Sequence, residues 1–115
     1  MSARDERLSG AAARHLGDRL RAITGRAVAE VRITRVRWPE GLRWVAMILA
    51  ADPRAPRGRR EVPITEAGQH RKLALLLRDT FPHADWAHAQ DYDVGAGTLR
   101  EHLVRLPDCL AGDAL

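Results

Sequence analysis

The stretch VAEVRITRVRWPEGLRWVAMILA, residues 28–50, decides the architecture. Val28–Trp38 is dense in β-branched residues, and Trp44–Ala50 is an unbroken apolar run of the kind found in central strands. Between them, Pro39-Glu40-Gly41 offers a fixed φ and then a residue able to turn left-handed, so the two runs read as a β-hairpin. A three-residue loop pairs Trp38 with Leu42, Val36 with Trp44 and Thr34 with Ala46. Period-two alternation then assigns those side chains to the core face and places Arg35, Arg37 and Arg43 together on the opposite one. In that register Arg37 faces Arg43, a like-charge pair costing roughly a few tenths of a kcal/mol.

Toward the N-terminus, Leu8, Ala12, Leu16, Leu20 and Ile23 recur at three- and four-residue spacing. They predict an amphipathic helix over 9–24, capped by Ser9 and closed by Gly25, with residues 1–7 as a flexible tail. Toward the C-terminus, DPRAPRGRR (52–60) combines prolines, a glycine and four arginines, which reads as a mobile basic loop. A short strand over 61–64 follows. Thr65 then caps a second helix over 66–80, with Leu73, Leu76, Leu77 and Phe81 facing the core and Pro82 ending it. A second hairpin is expected from Gln90–Val94 and Thr98–Val104, turning at Ala96-Gly97, with Trp86 anchoring the preceding segment. That turn pairs Asp93 with Arg100 and Asp91 with His102 on the outer face, and turns Tyr92 inward. Residues 105–115 read as a tail.

These elements define one small α+β domain of 115 residues, an antiparallel sheet of two β-hairpins with two amphipathic helices in the order α-β-β-α-β-β. The single cysteine, Cys109, excludes an internal disulfide and a thiolate metal cluster. No apolar run reaches membrane-spanning length and the N-terminus has no apolar signal core, so the expected location is the cytoplasm.

Charge carries the strongest functional signal. Residues 1–60 hold fourteen arginines against six acids, and residues 61–115 hold five basic residues against nine acids. Eighteen of the nineteen basic residues are arginine, with no asparagine in the chain, a pattern that codon bias in a GC-rich genome also produces. Placement is therefore more informative than number. Arg35, Arg37 and Arg43 on the hairpin, with Arg54, Arg57, Arg59 and Arg60 in the loop, form the candidate phosphate-binding patch. The expected partner is a DNA or RNA backbone, contacted by a non-catalytic accessory or regulatory protein. The alternative is a protein-interaction module or homodimer in which one copy's basic hairpin meets the other's acidic one, and a solvated basic face without a ligand is the plainest reading.

Chemistry is not signalled. Asp91 and Asp93 share a strand face, a geometry general acid–base catalysis can use, but cross-strand salt bridges explain them more simply. His83, Asp85, His88, Asp91 and Asp93 match no established metal spacing, and Asp85 reads as a turn cap. His70 reads as a surface or boundary residue. No cofactor motif is present, Gly95-Ala96-Gly97 being a hairpin turn.

Overall fold

Ile33 stands opposite Ala46 at the centre of the sheet in the computed structural model, which describes residues 6–102. The strands are β1 (Glu6–Arg7), β2 (Glu30–Trp38), β3 (Gly41–Ala51), β4 (Arg59–Val62), β5 (Gln90–Asp93) and β6 (Thr98–Glu101), and the helices are α1 (Gly10–Thr24) and α2 (Ala67–Thr80). All six strands join one antiparallel sheet in the order β1-β6-β5-β2-β3-β4. The expected α+β class is therefore the observed one, with two short strands, β1 and β4, extending the sheet beyond the two hairpins. Glu6 and Arg7 belong to β1 instead of the expected tail, while residues 1–5 and 103–115, with the end of the expected Thr98–Val104 strand and the C-terminal tail, lie outside the described residues.

One face of the sheet is covered. Val31, Ile33, Ala46, Ile48, Val62, Tyr92 and Leu99 point from it into a core completed by Leu16 and Leu20 of α1 and Leu73, Ala74 and Leu77 of α2. Phe81 and Trp86 close this core below α2, where the Trp86 indole donates to the Phe81 carbonyl. Each large aliphatic side chain so buried contributes about 1.5–3 kcal/mol of transfer free energy. The helix boundaries follow from caps. Ser9 accepts from the Ala12 amide, and Gly25 adopts the left-handed conformation at φ 74°. At the second helix, Glu66 and not Thr65 holds the cap position, with no side-chain hydrogen bond. Asp85 caps the Ala87 amide, as expected of a turn residue.

The first hairpin departs from the expected register by one residue. Trp38 pairs with Gly41, so the turn holds only Pro39 and Glu40, and neither residue has a positive φ. Two-residue hairpins ordinarily use left-handed turn residues, which proline cannot supply. The adjustment falls on Gly41 at φ 133°. A one-residue slip inverts the faces of one strand relative to the other. Arg37 is thereby opposite Leu42 and Arg43 opposite Val36, which removes the like-charge pair. The second hairpin also shifts, pairing Asp93 with Thr98 and Asp91 with Arg100 around a four-residue loop. That shift is two residues and leaves every side chain on its expected face. Gly97 in this loop has φ 66° and sits so close to α1 that an added Cβ would lie 3.0 Å from the Ala13 methyl.

Tyr92 is fully buried, and its hydroxyl has no hydrogen-bond partner among the described residues. Burial, then the nearby Asp93 charge, pushes this phenol above its ordinary value. Tyr92→Phe is expected to be neutral or stabilising by about 1 kcal/mol in chemical denaturation, since it removes an unsatisfied buried group. The wild type, unlike the variant, is expected to lose additional stability as pH rises above about 10, where the unfolded chain's phenol ionises first.

Candidate nucleic-acid interface

The two helices pack on the same side, so the opposite sheet face is open, and it divides into an ion-paired end and a projecting end. The paired end is built by strand alternation. Glu30 and Arg32 of β2 lie beside Asp93 and Asp91 of β5, and Arg59 enters from β4. Arg59 pairs across the ladder with Ala51, whose small side chain leaves room for the guanidinium to cross β3. Its two terminal nitrogens donate to Glu30 at 2.6 Å and Asp93 at 2.9 Å. Arg32 donates through Nε to Asp91 at 2.7 Å and lies 3.6 Å from Glu30. Asp91 also meets His102 Nδ1 at 2.7 Å, so this nitrogen carries the ring proton toward the carboxylate. Three carboxylates are thus shared among two arginines and a histidine, drawn from β2, β4, β5 and the residue after β6. Burial pushes the Asp93 carboxyl up, but the Ala96 amide, Arg59 and the Gly95 amide outweigh it and hold the group below its ordinary value.

The projecting end is the tip of the first hairpin. Pairing of β2 with β5 ends at Ile33–Gln90, and pairing of β3 with β4 ends at Ile48–Val62. Beyond β4 the Ala46 amide donates to His70 Nδ1 at 3.0 Å, which makes His70 a partner of the exposed sheet edge. Trp44 packs edge-on against Trp86 with ring centroids 6.4 Å apart. Past that contact residues 34–45 continue as a two-stranded ribbon. Its turn end exposes Arg35, Arg37, Trp38, Leu42, Arg43 and Val45. By the observed register Trp38, Arg43 and Val45 share the open face, while Arg35, Arg37 and Leu42 share the helix-side face. Arg43 lies over the Trp38 ring at 5.4 Å from its centroid.

The expected seven-arginine patch therefore divides between the ribbon and the far end of β3 with β4, where Arg57 lines one concavity with Glu30, Arg32 and Arg59. Arg35, Arg37 and Arg43 remain on the ribbon, but on two faces. Arg54 and Arg57 are exposed in the connection after β3, at its far end. Eight residues of strand separate Arg43 from Ala51, about 26 Å at the usual rise. Arg59 and Arg60 belong to β4 and not to a loop, and both are engaged, Arg59 as above and Arg60 with Asp52 at 3.2 Å. Among the described residues, Arg35, Arg37, Arg43, Arg54 and Arg57 have no ion pair. Trp38, expected in the core, is 45% exposed at the tip. The signal that could have found it is the choice of turn length, since a two-residue turn reverses its face.

Two further concavities flank these surfaces. One of about 260 Å³ lies on the paired end, lined by Glu30, Asp91, Asp93, Arg100 and His102 among others. The other, about 680 Å³, runs beside α1 over Leu8, Val28 and Val94, with Arg7, Arg14, Asp18 and Arg21 at its rim. Among the described residues no helix is long and apolar enough to cross a membrane. Comparison with protein families, curated proteins and solved structures finds no match to this chain.

Arg59→Ala leaves Glu30 and Asp93 without their shared cation and is expected to destabilise the fold by about 1–2 kcal/mol, against less than about 0.5 for Arg57→Ala. A carboxylate held low in the fold stabilises it above the unfolded-state value, and that contribution fades as pH falls. Wild-type stability is accordingly expected to drop below about pH 4, with a shallower fall in Arg59→Ala, in denaturation followed from pH 7 to pH 2.

Proposed function

We propose that this chain is a non-catalytic nucleic-acid-binding module of the cytoplasm that grips the phosphate backbone with the arginines of its projecting hairpin. The observation that carries the reading is the partition of charge. Arg32, Arg59 and Arg60 are neutralised by carboxylates of the same chain, whereas Arg35, Arg37 and Arg43 stand on a protruding ribbon without such partners among the described residues. Glu40 in the turn is the ribbon's one acid, which leaves the segment net positive. A two-stranded ribbon is narrow enough to approach a nucleic-acid groove or to be wrapped by a strand, and guanidiniums on both faces reach phosphates from either side.

The homodimer reading meets a physical obstacle in its original form. Two of the second hairpin's acids, Asp91 and Asp93, already hold Arg32, His102 and Arg59 and have little charge left for a second copy, and the third, Glu101, lies 4.0 Å from His88. What favours a protein partner is instead the apolar surface of Trp38, Leu42 and Val45 at the tip.

Binding to labelled DNA and RNA oligonucleotides, followed by anisotropy over a salt series, tests the assignment. About three phosphate contacts should give a slope of log affinity against log salt near −2 to −3. The triple variant R35A/R37A/R43A should lose about tenfold or more at low salt for every sequence alike. Arg60→Ala should change affinity less than about twofold, because Arg60 is already paired. Unchanged affinity in the triple variant contradicts the assignment.

A further inference from the structure

We infer that the hairpin tip selects unpaired bases, with Trp38 as the stacking surface, so that the ligand is a single-stranded segment and not a duplex; this rests on the nucleic-acid reading above. Trp38 is the last residue of β2 and one of the few large apolar side chains left exposed. Its cross-strand neighbour is Gly41, which has no side chain to cover the indole, and nothing would lie within 4 Å even of an added Cβ there. Arg43 takes one side of the ring, at 5.4 Å from the centroid, an arrangement that holds the indole and places a cation next to anything stacked beside it. Val45 extends the same face toward the body of the domain. An aromatic ring, a guanidinium and an apolar shoulder in one line are complementary to a base and its phosphate.

Two ligand geometries compete for such a ribbon. A duplex accepts a two-stranded ribbon in its major groove, but presents mostly polar base edges there. Trp38, Leu42 and Val45 would then lose water without gaining apolar contact, while the bases stayed stacked on one another. An unpaired base offers its π-face, and stacking on tryptophan tolerates any sequence. Burial of exposed indole therefore decides for the single strand. Arg35 and Arg37, on the reverse face, are placed to take phosphates of a strand that wraps the tip.

The experiment compares fluorescein-labelled oligothymidylate and oligouridylate of about twelve nucleotides with a labelled duplex of the same length, by anisotropy in about 50 mM salt. The expected result is single-strand affinity at least about tenfold above duplex affinity, and loss of about tenfold in single-strand affinity in Trp38→Ala. Trp38→Phe, which keeps a ring, should stay within about threefold of wild type, and duplex binding should be indifferent to both changes. Because Trp38 lies outside the core, circular dichroism and melting of the variants should match wild type. Equal affinity for duplex and single strand, or single-strand binding untouched by Trp38→Ala, overturns the inference while leaving the phosphate reading intact. Absence of binding to either ligand overturns both. A salt-resistant dimer that Trp38→Ala dissociates also overturns it, by assigning the tip to a second copy.

Discussion

The pairing of Ile33 with Ala46 constrains the rest of the molecule. It aligns Val31 and Ile33 with Ala46 and Ile48 on one side of the sheet, and that side receives both helices. The same pairing fixes what the reverse side carries: Glu30 and Arg32 near the base of β2, Val36 and Trp38 toward its tip. Because β4 and β5 are short, neighbours support only the base of the central hairpin. The core ends at the Trp44–Trp86 contact, and the ribbon beyond it projects with no helix of the described residues above it.

This geometry gives arginine two roles. At the base, where six strands lie side by side, guanidiniums find carboxylates from elements distant in sequence, and Arg59 reaches residues 29 and 34 positions away. Such partly buried pairs join β4 to β2 and β5 on the face opposite α1 and α2, and leaving one partner alone is costlier than the pair is favourable. At the tip, no neighbouring strand among the described residues supplies acids. Arginine there keeps its charge for an external anion, and an exposed tryptophan accompanies it. The proposed binding surface is thus where the sheet is narrowest.

Much of the fold was legible from local signals. Leucines at helical spacing found α1 and α2, Ser9 and Gly25 marked the ends of the first helix, and the β-branched and apolar runs located the hairpin strands. The faces of the second hairpin were legible even though its loop length was misjudged, because a two-residue slip preserves parity. The first hairpin failed for the complementary reason. Pro39-Glu40-Gly41 is compatible with a loop of two or three residues, and local chemistry does not reveal that Gly41 joins the ladder at φ 133°. That single residue moved Trp38 from the expected core to the tip and separated Arg43 from Arg35 and Arg37. The candidate site was less legible. Nothing near Arg59 in the sequence announces Glu30 or Asp93, and a run of arginines beside prolines looks like a loop until its pairing with Ala50 and Ala51 makes a strand.

The central claim, that Arg32, Arg59 and Arg60 are held by carboxylates of the same chain and the arginines of the ribbon are available, is tested most directly by the arginine Nε–H resonances in nitrogen–proton correlation spectra. These would be followed while a short oligonucleotide is titrated into the labelled protein. The account expects the Arg35, Arg37 and Arg43 signals to shift progressively, with Arg32, whose Nε donates to Asp91, and Arg59 staying in place. Movement of Arg32 and Arg59 with a silent ribbon would contradict it, placing the anion site on the open sheet face instead of the tip.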